Sequence, residues 1–449
     1  MTGALDLLRL APGVYYEKYG EGVYLRCVDT RKDYLFNDIV CDLLDCFSKT
    51  EPHSAAKAVE TVLSQYEAED EASFRQDMDD FLRLLIDEGI LEEPAPEPMR
   101  DTAVKHLVEQ QCSRERRLFS LGLELTYRCN ERCVHCYVDG PPDSHGELTL
   151  DEYRKLLDEA RAMGCISLLL TGGEVCCKRD FPEIAEYAAS IGMLVDIYTN
   201  GLAVTDELFD RICALKPNSM SFSLYGGHAE LHDAITQVKG SFDRTLKLVM
   251  MTKCAGIDTY IKTVVLRENV NDLEPLFQLG KRIGVDVAPT YTILDTHTGV
   301  SSACHRLETA EEYRTVMEMI RRYHPKSLIR DDRDPVEPAC GSGQCSLCVD
   351  PYGEIYPCLA LRTSLGNVRR RSIQDVWQNS PELERIRQLR FKDLCPGCGT
   401  CSYVGSCDIC MGRLSQGGHN VPEDVCMISK ASFLTRERIT ERREHNGEA

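Results

Sequence analysis

The sequence predicts an α/β protein: an open six-stranded (βα)6 partial barrel flanked by a smaller α+β module and a cysteine-rich tail. Three observations carry that prediction. From residue 117 to 325, apolar strand patterns alternate with amphipathic helical ones. Ahead of them stand three short strands and then three helices. Behind them come ten cysteines between residues 340 and 426. Repeating βα units imply a parallel sheet with right-handed crossovers. Six units are too few for the eight-stranded barrel.

The first module spans 1–95. Val14–Lys18, Val23–Val28 and Asp33–Phe36 read as strands separated by Gly-rich or charged turns. Helical patterns follow at Asp38–Phe47, Ala55–Tyr66 and Glu71–Glu88. In the last, Phe74, Met78, Phe81, Leu82, Leu85 and Ile86 recur near i, i+3, i+4 spacing. Gly89 stops that helix, and the whole is winged-helix-like. Residues 96–116 form a linker with a bridging helix around Val104–Gln111, after the Pro-rich acidic run 92–99.

The barrel spans 117–325. Its strands are Leu118–Thr126, Ser167–Thr171, Leu194–Thr199, Met220–Leu224, Thr259–Val265 and Val285–Ile293. Helices lie between them at Asp151–Met163, Phe181–Ile191, Thr205–Ala214, Phe242–Ala255 and Asn271–Ile283. The last block spans 326–449. Within it, Val349–Cys358 reads as a β-hairpin whose Pro-Tyr-Gly turn delivers a cysteine.

Composition narrows the function. The 449 residues are 43% hydrophobic and 28% charged, as in a globular protein. No apolar run reaches the roughly 18–20 residues of a membrane span. The N-terminus lacks the basic and apolar stretches of a signal peptide, so a cytoplasmic location is expected. There, 23 cysteines serve as metal ligands and reduced thiols rather than disulfides. Net charge is −20, and the first hundred residues hold 22 acids against 10 bases. That acidity argues against a nucleic-acid partner and permits a basic peptide.

The chemistry concentrates at Cys129, Cys133 and Cys136, spaced C-x3-C-x2-C directly after the first barrel strand. Protein [4Fe–4S] clusters are normally held by four thiolates, so three leave one iron open. Tyr137 follows, and the second strand ends in Gly172-Gly173-Glu174. Both motifs lie at strand C-terminal ends, where barrel-like sheets place their sites.

These motifs resemble the radical S-adenosylmethionine (SAM) enzymes. The resemblance implies that the amine and carboxylate of SAM fill the open corner. An electron from the cluster then cleaves SAM to a 5′-deoxyadenosyl radical. It further implies SAM contacts at Tyr137, Gly172, Gly173, Glu174, Asn200, Ser223 and Lys262. The stretch from Ser223 through His232-Asp233-Ala-Ile-Thr236 to Phe242 resembles peptide-modifying members, which tend to have Gly where this chain has Gln237.

The C-terminal array resembles the SPASM extension, which carries auxiliary iron–sulfur clusters. By that resemblance, Cys340, Cys358 and Cys410 hold a first auxiliary cluster, with Cys345 or Cys348 as fourth ligand. Cys398, Cys401, Cys407 and Cys426 hold a second, and Cys395 is surplus or alternate. Three [4Fe–4S] clusters in all are thus implied. C-x2-C pairs also suit tetrahedral zinc, the alternative for this segment taken alone. Cys176 and Cys177 read as small buried packing groups, and Cys27, Cys41, Cys46, Cys165, Cys213 and Cys254 as core.

The N-terminal module resembles the precursor-recognition domain related to the small chaperone of pyrroloquinoline quinone biosynthesis. Such domains capture a leader peptide as an added edge strand. Together these resemblances imply an oxidoreductase that installs a crosslink in a ribosomally made, Cys-rich precursor peptide. The bond expected is a Cys thioether to carbon, as in sactipeptide and ranthipeptide maturases. The electron donor would be an external flavodoxin or ferredoxin. A carbon–carbon crosslinker or quinone-cofactor maturase is the runner-up. A sulfatase maturase would carry Asp after Cys358, where this chain has Leu359. The rival from another class is a non-enzymatic iron–sulfur regulator.

Overall fold

The structure is a computed structural model. It describes residues 7–8, 10–11, 13–20, 22–28, 30–47, 53–66, 70–91, 102–139, 146–323, 334–394, 397–407, 409–416, 426 and 429.

In the N-terminal module, β1 (Leu7–Leu8) precedes a meander of β2 (Val14–Tyr19), β3 (Gly22–Cys27) and β4 (Lys32–Asn37). The meander is antiparallel, with Tyr16 opposite Leu25 and Leu25 opposite Tyr34. Helix α1 (Asp38–Leu44) leads to β5 (His53–Ser54), α2 (Ala55–Leu63) and α3 (Glu71–Asp87). β5 pairs with β1, a two-residue ladder too short to leave a sequence signal. Asp70 caps α3 by accepting the N–H groups of Ala72 and Ser73, and Gly89 ends it in the left-handed region at φ 69°.

Strand β3 is buried on both faces. Val23, Leu25 and Cys27 join Leu43, Val59, Val62, Leu82 and Leu85 in the module's own core. Tyr24 and Arg26 alternate to the opposite face and meet the barrel. There the rings of Tyr19 and Tyr24 lie 5.6 and 5.9 Å from Phe119. They share an apolar cluster with Ile166, Leu194 and, from α4 (Thr102–Glu115), Val108 and Cys112.

The barrel runs β6 (Ser120–Glu124), α5 (Leu150–Ala162), β7 (Ser167–Thr171), α6 (Phe181–Ser190), β8 (Leu194–Thr199), α7 (Asp206–Leu215), β9 (Ser219–Ser223), α8 (Ala229–Thr236), α9 (Ser241–Cys254), β10 (Thr259–Val264), α10 (Leu273–Ile283), β11 (Asp286–Thr290) and α11 (Ala310–Tyr323). The six strands are parallel and in sequence order, as the sequence predicts. Phe119, Ile166, Leu194 and Asp258 all sit at or just before strand starts, so the N-terminal module closes the end of the barrel opposite the strand C-termini. Cys254, read as core, is instead exposed, because it is the last residue of α9 and faces solvent.

The C-terminal hairpin adds a finding the sequence does not carry. β12 (Ser346–Val349) pairs in parallel with β6, and β13 (Glu354–Tyr356) and β14 (Gly366–Asn367) continue antiparallel. Barrel and C-terminal block therefore share one nine-stranded sheet. Gly353, at φ 90°, makes the hairpin turn. Helices α12 (Ile373–Asn379), α13 (Pro381–Gln388) and α14 (Met411–Gln416) complete the block. Among the described residues no helix is long and apolar enough to cross a membrane.

Candidate SAM and iron–sulfur site

On β6, Leu121 and Leu123 point to the helices, so Gly122 and Glu124 face the lumen. The chain then leaves the sheet as the cysteine loop. Cys129 Sγ accepts the Glu131 N–H at 3.4 Å, and Cys136 N–H bonds Cys133 O at 3.1 Å. The C-terminal end of α8 holds the loop from outside. Arg132 N–H donates to Thr236 O, and Val134 N–H to Ile235 O, each at 3.0 Å.

This gives the 223–242 stretch a structural role. Buried His232 accepts the Tyr225 N–H at 3.1 Å through Nδ1. Asp233 accepts from Gly240 N, Ser241 Oγ and Phe242 N, which fixes the start of α9. Gln237 sits at φ 60°, the left-handed region that favours glycine, so the departure from Gly is absorbed at a strained position.

The Gly172-Gly173-Glu174 turn lies flush against the same loop. A Cβ at Gly172 would stand 2.5 Å from Thr126 O, and one at Gly173 2.5 Å from Arg128 O. Gly173 N–H donates to Thr126 O at 2.7 Å, and Glu174 N–H to Arg128 O at 2.9 Å. The Glu174 carboxylate is buried. It accepts Thr199 Oγ1 and Asn200 N–H at 2.6 Å and Cys176 N–H at 3.1 Å. Asn200 Nδ2 reaches Asn130 Oδ1 at 2.7 Å and lies 3.8 Å from Cys129 Sγ. The ends of β6, β7 and β8 are thus stitched around the loop. Ser223 and Lys262 face one another in register across β9 and β10, with Lys262 Nζ 5.2 Å from the Tyr198 ring centre. Tyr137 donates its hydroxyl to Glu124 at 3.2 Å.

These residues suit a cluster with SAM. Burial pushes the Cys129 thiol up to about 12 and raises Cys133 and Cys136 as well, so metal must displace their protons. Glu131 Oε1 and His135 Nδ1, both inside the loop, are buried without hydrogen-bond partners. Such atoms ask for a group to complete them. Burial raises Glu131 to about 7 and lowers His135 to about 4. Neither residue stood out in the sequence.

In the C-terminal block, Cys398, Cys401, Cys407 and Cys426 line one cavity of about 60 Å³ with Phe391, Leu394, Val404 and Ile409. Four sulfurs in an apolar shell fit an iron–sulfur cluster. Among the described residues no three His, Cys, Asp or Glu converge as a single-ion site. Ser342 Oγ links Cys340 Sγ at 3.0 Å to Cys358 Sγ at 3.1 Å. Cys410 is raised by burial, with Cys358 and Cys340 close enough to add to the effect. Of the two candidate fourth ligands, Cys348 is buried and pairs across the hairpin with Tyr356, two residues before Cys358, whereas Cys345 packs into the apolar cluster beside Cys112. Cys395 lies outside the described residues. Cys176 and Cys177 are half-buried, and Cys176 packs on the barrel core.

Comparison with known proteins agrees with this geometry. The radical SAM superfamily profile matches residues 123–280, and the SPASM iron–sulfur cluster-binding domain matches 340–402. The AdoMet-dependent heme synthase of Methanosarcina barkeri is 29% identical over 338 residues, covering 68% of this chain and 95% of that protein. The antilisterial bacteriocin subtilosin biosynthesis protein AlbA of Bacillus subtilis is 27% identical over 331 residues, covering 69% and 71%. The crystal structure of Streptococcus suis SuiB bound to S-adenosylmethionine superposes with a TM-score of 0.61 at 16% identity, over 93% of this chain and 99% of that one. SuiB has also been solved bound to its precursor peptide SuiA.

Proposed function

We propose that this chain, a radical SAM domain followed by a SPASM domain, is an enzyme that crosslinks a ribosomally made precursor peptide. The bond we favour joins a Cys sulfur to a carbon of another residue. One observation carries the peptide reading. The heme-synthase likeness takes in nearly all of that protein but only 68% of this chain. The SuiB likeness takes in 93%, so it must extend into the N-terminal module. That module gives the chain a use for an acidic, strand-bearing domain. Among the described residues, the outer edge of β4 pairs with no strand, leaving backbone groups for a leader to bond.

In this reading Cys129, Cys133 and Cys136 hold the SAM cluster. Tyr137, Gly172, Gly173, Glu174, Asn200, Ser223 and Lys262 surround SAM. Cys340, Cys358 and Cys410, with Cys348 or Cys345, hold one auxiliary cluster, and Cys398, Cys401, Cys407 and Cys426 the other. With these groups bound and reduced by a flavodoxin or ferredoxin, the lumen would be supplied with a 5′-deoxyadenosyl radical. Glu174 keeps the β8 end fixed, Gly172 and Gly173 let backbone approach closely, and the N-terminal module shuts the far end of the lumen against water. A cytoplasmic setting fits oxygen-sensitive clusters.

The test is anaerobic incubation of reconstituted enzyme with SAM, dithionite and candidate short Cys-rich peptides taken from the neighbouring open reading frames. Each crosslink removes two hydrogens from the peptide, and a thioether also protects its Cys from alkylation. A mass loss with alkylable Cys would mean a carbon–carbon bond. Unchanged peptide mass with ongoing 5′-deoxyadenosine release would end the peptide reading.

A second prediction concerns the turn. In Gly173→Ala the Cβ meets backbone on the Arg128 and Tyr127 side, which cannot yield cheaply. Because a ~1 Å misplacement can cost about 100-fold, calorimetric SAM affinity is expected to fall by about tenfold or more. Wild-type affinity in this variant would refute the flush packing.

A further inference from the structure

Glu124, the last residue of β6, is fully buried. Its Oε1 accepts the Tyr137 hydroxyl at 3.2 Å. Its Oε2 accepts the Tyr127 hydroxyl at 3.1 Å and Arg362 Nη1 at 2.7 Å. Arg362 belongs to the other block, four residues past Cys358. Its Nη2 donates to Tyr127 Oη and lies 3.9 Å from Asp350 Oδ2. Its guanidinium stacks 4.0 Å over the Tyr356 ring. Asp350, 5% exposed, opens the β12–β13 turn by accepting the N–H groups of Tyr352 and Glu354 at 2.9 Å. One cation therefore sits between two buried carboxylates at the C-terminal ends of the neighbouring strands β6 and β12.

We propose that Arg362 is a positioning residue that ties the Cys358 arm to the SAM-binding loop, through Glu124 and the Tyr137 that follows Cys136. The inference rests on the radical SAM reading above. It concerns this chain's own side chains and not the peptide substrate.

Two physical arguments separate this from a plain structural brace. The blocks are already joined by the β6–β12 ladder, four register pairs long. Docking therefore does not need a buried ion, and apolar groups of similar size often do as well or better. What the ion adds is direction, since the guanidinium fork fixes Glu124 and Glu124 fixes the Tyr137 hydroxyl. The charge is also near the C-terminal sulfurs: Arg362 lies four residues past Cys358, and its carboxylate partners Glu124 and Asp350 each lie two residues beyond the Gly122 and Cys348 that pair across the β6–β12 ladder. Iron–sulfur potentials respond to nearby charge and hydrogen bonding, so a cation there would make an auxiliary cluster held by the neighbouring cysteines easier to reduce.

The experiment uses full-length, anaerobically reconstituted protein as wild type, Arg362→Met and Arg362→Lys, without peptide. Iron and sulfide content, the EPR change on adding SAM, the midpoint potentials and the rate of 5′-deoxyadenosine formation are measured. Arg362→Met is expected to keep its iron and sulfide, to lower an auxiliary potential, to weaken the SAM-induced EPR change and to slow 5′-deoxyadenosine formation by about tenfold or more. Arg362→Lys should restore the potential, because the charge returns, but not the rate, because a lysine cannot make the fork. Unchanged EPR and potential in Arg362→Met would overturn the proposal, as would loss of iron in that variant, which would make Arg362 a brace alone. Absence of 5′-deoxyadenosine from wild type would instead strike the radical SAM reading itself.

Discussion

Alanine at Cys129, Cys133 and Cys136 together is expected to abolish 5′-deoxyadenosine formation while leaving the C-terminal iron in place. Bound iron should drop by about four atoms per chain, the content of one cubane cluster. The reasoning is local. The three sulfurs lie in a loop outside the sheet, and the barrel core of Leu121, Leu123, Leu168, Leu170, Ile197 and Phe222 does not include them. The variant should therefore fold. Loss of the thiols leaves Thr236, Ile235 and Glu174 still bonded to the loop backbone at Arg132, Val134 and Arg128, so its path is kept while its chemistry is removed. Iron analysis, EPR with and without SAM, and chromatography of the nucleotide products check the result. Iron content equal to wild type, or continued SAM cleavage, would show that these cysteines do not hold the reactive cluster.

What could be read from the sequence follows from which signals are local. Ser167–Thr171 and Leu194–Thr199 were legible to the residue because buried parallel strands are continuous apolar runs. The cysteine loop, the Gly-Gly-Glu turn and Asn200 were legible because each directly follows such a strand, and the structure brings them together. Helix α11 has a local signal of the same kind, although the barrel helices expected above do not include it: Tyr313, Val316, Met317 and Ile320 recur at helical spacing and are all buried. Helix α8 is short and follows Gly226-Gly227, which reads as loop. The β6–β12 pairing had no local signature at all, because parallel partners far apart in sequence are chosen by packing. The same holds for Glu124 with Arg362, and for Cys345, whose place beside Cys112 depends on where α4 crosses the sheet.

The docking of the N-terminal module was equally hidden, and it supports the other large prediction. Arg26→Met is expected to loosen that module from the barrel by about 3 kcal/mol, the low end for breaking a buried ion pair from one side. Arg26 bonds Asp33 Oδ2 and Asp258 Oδ2, each at 3.0 Å. The two carboxylate side chains are only 2% and 3% exposed. Removing the cation takes a buried ion-pair partner from both, while Asp33 keeps the Tyr24 hydroxyl at 2.8 Å and Asp258 the Arg31 Nε at 3.1 Å. Those remaining bonds set the estimate at the low end. Since about 1.4 kcal/mol is tenfold in an equilibrium, amide hydrogen exchange along β3 and at Phe119 should quicken by roughly 100-fold where opening is local. Amides of β8 and β9 should not change. Combining Arg26→Met with Asp33→Asn and Asp258→Asn should recover much of the loss, because the two buried carboxylates that lose the guanidinium are then neutral. Exchange at the wild-type rate in the single variant would show that the remaining contacts, among them Tyr19 and Tyr24 on Phe119, the Tyr19 hydroxyl on Gly164 O and Arg161 with Glu17, hold the module without Arg26. The same variant should still form 5′-deoxyadenosine without peptide, because Arg26 lies at the opposite end of the strands from the cysteine loop. Its defect should emerge only with a leader-bearing substrate, whose anchoring domain would no longer be fixed relative to the lumen.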